Sequence, residues 1–169
     1  MKQLLTKLTN IIIPDKYYNT KQEYAQTIDK IIEEPENYYE EETLKNGVYG
    51  IYDYKDKNFP VIALLDTLTE GFISKLDNHF NDYLWGKLSA LLIYSDLEDL
   101  REKLTQEIYN GSTPYKLENS SLIFQDCHVK IVLITIMGFK GVCLVRNENY
   151  NTLSEVLSLL KVDIAELNE

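Results

Sequence analysis

The sequence predicts an α+β fold: a helix-rich N-terminal two-thirds packed on a small, mainly antiparallel sheet, with a C-terminal helix. Three observations predict it. Apolar residues recur at helical spacing through the first two-thirds of the chain. The period then changes: "SLIFQD", "HVKIVLITI" and "GVCLVRN" are rich in β-branched residues and are broken by Gly138 and Gly141. Finally, "TLSE" at 152–155 has the form of a capping box and opens a stripe of Val156, Leu157, Leu160 and Ile164.

The elements follow in order. Leu4, Leu5, Leu8, Ile11 and Ile12 make a first helix that Pro14 ends. "TKQE" at 20–23 is a capping box, with Thr20 able to accept from the Glu23 backbone N–H, and it starts a helix whose face is Tyr24, Ile28, Ile31 and Ile32. Pro35 closes that helix and opens the next at its first position, which runs to "KNG", where Gly47 supplies a left-handed cap. "VYGIYDY" at 48–54 reads as a short strand or an aromatic loop, and "KDKNFP" as a turn. "PVIALLDTLTEG" at 60–71 starts with proline and ends with glycine, as a short buried helix does. "FISKLD" alternates like a half-buried strand. From Asn81, Leu84, Trp85, Leu88, Leu91 and Leu92 form a strong helical stripe. "SDLE" at 95–98 is a further capping box, starting a helix with Leu97, Leu100, Leu104 and Ile108 inward and ending at Asn110 and Gly111. The sheet is an antiparallel meander turning at "MGFKG", joined by "YKLE" and "FISKLD". With 169 residues and neither repeat nor linker, the chain is expected to be a single domain, 1–169.

Composition narrows the function classes. Apolar residues are 44% and charged residues 26%, a balance that builds a core rather than a disordered chain. The longest apolar run, "IVLITIM", is far too short to span a bilayer, and the first residues lack a continuous apolar stretch, so the expected location is cytoplasmic. The net charge of −10 disfavours nucleic acid and an anionic membrane, both of which call for Lys and Arg, and suits a basic protein partner. The acidity is concentrated: residues 31–70 hold ten acidic and three basic side chains, whereas residues 1–30 hold three and five.

Cys127 and Cys143 show no CxxC or Cys/His spacing for zinc. In a hairpin turning at "MGFKG", Cys143 faces roughly Ile136, so the sulfurs lie too far apart for a disulfide and two reduced, buried thiols are expected. No pattern calls for a cofactor: there is no GxSxG, and seven glycines leave little room for a phosphate loop.

Two constellations remain. Asp77, His79 and Asp82 in "LDNHFND", with Asp66 joining them in space, set a histidine between carboxylates, as a metal-dependent or hydrolytic enzyme would. The plainer account is a loop whose Asp and Asn cap the next helix. His128 beside Asp126 reads as a polar residue at the start of a strand. The second constellation is "EEPENYYEEETL" at 33–44, with six glutamates, two adjacent tyrosines and more tyrosines at 49, 52 and 54. On a helix from Pro35, at most one of Tyr38 and Tyr39 points fully inward. Glutamates without lysines nearby in sequence repel one another, whereas a face built only for solubility mixes signs. Tyrosine supplies contact area at low entropic cost, and carboxylates steer a basic partner. The expected protein-binding residues are Glu36, Tyr38, Tyr39, Glu40, Glu41, Tyr52, Asp53 and Tyr54, with no catalytic or metal-ligating residue among them. A solvated helix whose glutamates suit its positive N-terminal end is the plainer account here too. A third reading is a subunit that self-associates through an apolar face at Trp85 and Leu88, although core packing explains those residues as well.

"EEPENYYEEETLKNG", then "ALLDTL", a glycine, "LD" and a Trp-containing Leu-rich helix, resemble a family of small bacterial proteins of unknown function, often encoded near toxin–immunity loci. The resemblance covers roughly the first half of the chain and rests on Pro35, Tyr39, Leu44, Gly47, Ala63, Leu64, Leu65, Asp66, Leu68, Gly71, Leu76, Asp77 and Trp85. It implies an immunity-like role, the neutralisation of a bacterial toxin, and it brings no catalytic residues.

Overall fold

The structure, a computed structural model, describes residues 1–46, 53–76, 84–103, 106, 124 and 127–166, the side chains of 44–46, 84, 85 and 99 excepted. Helices α1 (Lys2–Ile12), α2 (Tyr18–Glu33), α3 (Pro35–Asn46) and α4 (Phe59–Leu68) come first. Strand β1 (Ser74–Lys75) and helix α5 (Leu84–Tyr94) follow, then the hairpin β2 (Val129–Ile136) and β3 (Phe139–Arg146). Helix α6 (Asn147–Leu159) and strand β4 (Asp163–Glu166) complete the order. The sheet runs β1-β3-β2-β4, antiparallel throughout. The fold is α+β, helix-rich with a small antiparallel sheet.

Period-two alternation puts the two faces of the hairpin against different helices. Val132, Ile134, Ile136, Phe139, Cys143 and Val145 face the main core, built by α1, α2, α4 and α6 around Leu5, Leu8, Ile28, Ile31 and Leu64. Val129, Ile131, Val142 and Leu144 face a second cluster with Leu88, Leu91 and Leu92 of α5. Because both faces are covered, the strands read as near-continuous apolar runs, a pattern usual in sheets buried on both sides.

Several boundaries depart from the sequence expectation, each for a local reason. Helix α2 starts at Tyr18, straight from a 3-10 turn at Asp15–Tyr17, so Thr20 sits inside it and caps nothing. Helix α6 starts at Asn147, directly off β3, so "TLSE" is also interior. "SDLE" both ends one helix and starts another: a 3-10 turn at Glu98–Leu100, with no side-chain cap from Ser95, runs into helical residues 101–103, and Leu97 and Leu100 are buried as expected. The Leu97 N–H donates to Leu92 O at 2.8 Å, the Asp96 N–H donates to Ile93 O at 3.3 Å, and Asp96 is left-handed with φ 59. This is a Schellman stop, with Leu97 tucked into the second cluster as its hydrophobic contact. Leu104 and Ile108 lie outside the described residues. Of "SLIFQD" only Phe124 is described, and it is buried and helical, not extended. "FISKLD" contributes only the two residues of β1. Gly47 and most of "VYGIYDY" fall outside the description, as does "YKLE".

The hairpin turn is tighter than "MGFKG". Only Met137 and Gly138 lie between the strands, at φ 40 and φ 85, so both central residues are left-handed, as the twist of a two-residue hairpin favours. Cys143 therefore pairs with Val132, and Ile136 pairs with Phe139. Both cysteines are free: Cys143 is buried, while Cys127 is only half-buried.

Candidate functional site

Helix α3 carries most of the residues singled out for binding, and its seating on α2 and α4 decides what each does. Tyr38 points inward, with 5% of its surface exposed. Its hydroxyl lies 2.8 Å from Thr67 Oγ1, and the Thr67 hydroxyl in turn donates to Ala63 O at 2.9 Å. A threonine hydroxyl has one proton, so Tyr38 is the donor of the first bond. Tyr24 of α2 donates to Thr67 O at 3.0 Å, so Thr67 is held by tyrosines from two helices. Burial, and then the neighbouring Glu70, push the Tyr24 phenol above its ordinary 10.0.

Tyr39 is half-buried. Its ring lies 5.8 Å from Tyr54 and 6.1 Å from the buried Phe59, which Tyr38 also meets edge-on at 6.4 Å. Tyr38 thus belongs to the core, which corrects its assignment as a docking residue, and Tyr39 presents only part of its ring.

The carboxylates stay outside. Glu36 and Glu40 are exposed. Glu36 Oε1 accepts from the Tyr54 hydroxyl at 2.7 Å, and that bond holds the Tyr54 phenol above its ordinary range. Glu41 is exposed but is not without a cation: Lys30 Nζ of α2 lies 3.2 Å away. This partner is eleven residues back in sequence, on the preceding helix α2, so sequence spacing within α3 does not reveal it. Asp53 accepts the Lys55 backbone N–H at 2.9 Å and so shapes a turn. Tyr52 lies outside the described residues.

The structure brings Tyr38 and Glu41 together with residues that the sequence did not single out, among them Thr27, Lys30, Thr67 and Glu70. Thr27, Lys30, Tyr38, Glu41, Glu42, Thr67 and Glu70 line a polar cleft of about 270 Å³ where α2, α3 and α4 meet. Glu70 follows α4 in a loop, with no signal in its own neighbourhood that it would join Glu41 and Glu42.

The other constellations fare differently. Asp66 is half-buried and ion-paired with Lys75. Asp77, His79 and Asp82 lie outside the described residues, and among the described residues no group of three or more His, Cys, Asp or Glu could hold a metal ion. His128 is exposed in a left-handed turn at φ 58, just before β2. Leu88 is fully buried in the second cluster, which corrects its assignment to a free apolar face; the Trp85 side chain is not described. Among the described residues no helix is long and apolar enough to cross a membrane.

Comparison with protein-family models, with curated proteins and with solved structures returned no match.

Proposed function

We propose that this chain is a non-enzymatic, acidic protein-binding domain whose partner is a basic protein, in the manner of an immunity protein that neutralises a bacterial toxin. The observation that carries the reading is the division of α3. Its tyrosines are spent on Phe59 and Thr67, so the helix is anchored from beneath while Glu36, Glu40 and Glu41 stand in solvent. Anchoring means a partner meets carboxylates already in place and spends less ordering entropy on docking. A carboxylate surface of this kind raises the encounter rate with a cationic partner and fixes its orientation, and it does so less as salt rises.

The docking residues are Glu36, Glu40, Glu41, Asp53 and the exposed parts of Tyr39 and Tyr54. Tyr52 belongs to the proposal on sequence grounds alone. The toxin-directed role rests on the family resemblance of the first half.

The test is co-purification from the native host at low and high salt, with the wild-type chain beside Glu36→Lys and Glu40→Lys. A basic protein retained at low salt, released at high salt and lost with the two reversals supports the reading. No co-purifying protein, or capture indifferent to the reversals, sinks it.

A further inference from the structure

Residues 160–166 carry a pattern that fits two conformations: Val162, Ile164 and Glu166 alternate with exposed Asp163 and Ala165 as a strand requires, while a helical stripe also runs into them. Leu153, Val156, Leu157, Leu160 and Ile164 continue one helical stripe past the end of α6, and no glycine or proline interrupts 160–166. Yet α6 stops at Leu159, and β4 begins at Asp163. The stop is a Schellman motif: the Val162 N–H donates to Leu157 O at 2.9 Å and the Lys161 N–H to Ser158 O at 3.0 Å. Its left-handed position, at φ 60, is occupied by Lys161 instead of the usual glycine. A side chain with a Cβ disfavours that region, so this helix end is costlier than it needs to be.

The strand itself is lightly held. Among the described residues β4 pairs only with β2, from Thr135↔Asp163 to Val132↔Glu166. None of its four residues is buried, and Ile164 is only partly covered by the main core. The firm attachments lie at its two ends. Leu160 and Val162 are buried ahead of it. At its far end Glu166 pairs with Lys130 of β2, whose ammonium sits 4.4 Å from the centre of the Tyr150 ring of α6.

We propose that residues 160–166 are a two-state segment: strand β4 in this structure, and a continuation of α6 by about two turns when the Lys130–Glu166 clasp opens. In the helical state Ile164 joins Leu157 and Leu160 on one stripe, and Lys161 leaves the left-handed region. Val132–Thr135 then lose their β4 partner, and the β2 backbone groups that faced it are left open to exchange. Val162 burial and the β2 ladder favour the strand; the stripe and the relaxed Lys161 backbone favour the helix.

Two surface substitutions test this on the intact chain. Lys161→Gly removes the penalty only in the strand state, so amide exchange at 162–166 and 132–135 slows about five- to tenfold. Glu166→Lys sets like charges against each other at the clasp, so exchange at the same residues quickens while α1, α2 and α4 keep their protection. The deciding readout in Glu166→Lys is the 13Cα chemical shift of Val162–Ala165, which moves towards helical values. Movement to random-coil values would make the segment merely frayed, with no second folded state, and overturn the proposal. Unchanged shifts, or no slowing in Lys161→Gly, overturn it equally.

Discussion

Tyr38 and Thr67 are joined by a 2.8 Å hydrogen bond that ties α3 to α4, with the tyrosine as donor. Removing only the hydroxyl, in Tyr38→Phe, leaves a part-buried threonine oxygen without its donor, and stability falls by about 1 kcal/mol. Tyr38→Ala also empties the space beside Phe59 and costs about 3–5 kcal/mol. Urea denaturation measures both, and equal stabilities for wild type and Tyr38→Phe would show that the bond contributes nothing.

Two glycines have opposite roles. A Cβ at Gly141 of β3 would stand 2.6 Å from Ile73 Cγ2 and 2.9 Å from Phe139 Cε1, so Gly141→Ala forces core side chains apart and destabilises by about 1–3 kcal/mol. Gly86 of α5 is exposed, and a Cβ there meets nothing within 4 Å. Gly86→Ala therefore stabilises by roughly 1 kcal/mol through helix propensity alone. Thermal denaturation of the pair should move the midpoint in opposite directions.

The two thiols differ in reactivity. Burial pushes Cys143 from 9.0 up to about 12, while Cys127 is half-buried with Lys103 Nζ 3.5 Å from its sulfur. A thiol reagent at pH 8 should label one cysteine in the native protein and both in denaturant. The linked pH effect has a definite sign. Below pH 9 the thiol is protonated in both states and adds no pH dependence. Above it the unfolded chain ionises first, so stability falls as pH rises from about 9 towards 12, and the raised Tyr24 phenol acts in the same direction. Cys143→Ser is the wrong control because it buries a hydroxyl; Cys143→Ala should flatten part of the alkaline decline.

Lys30 screens the proposed docking surface. Its pair with Glu41 is exposed on both sides, so Lys30→Gln changes stability by less than about 1 kcal/mol. It does remove a positive charge from the cleft it shares with Glu41, Glu42 and Glu70, so association with a basic partner should quicken at low salt and converge on wild type at high salt. Stopped-flow or surface-based kinetics on the captured partner reads this directly; a slower encounter would count against a docking role for the cleft.

The fold class and most helix interiors were legible because apolar spacing reports them directly: α1, α4 and α5 lie where the stripes put them. The ends were less so. "TKQE" and "TLSE" have the composition of caps but lie inside helices whose starts are set by the chain leaving a 3-10 turn or β3. Left-handed Asp96 and Lys161 stop helices without the glycine that would have announced them. At the candidate site, one inward tyrosine out of two follows from helix geometry alone. The Lys30–Glu41 pair and the approach of Glu70 do not, because they depend on how three helices pack.

Phe59 has a consequence for variation. It is fully buried, and both Tyr38 and Tyr39 rest on its ring, so the posture of α3 is set from below and not by its charges. The outward pattern at Glu36 and Glu40 can then be rewritten one position at a time with the helix still in register. A scaffold of that kind lets recognition be retuned to a new counterpart without renegotiating the fold beneath it.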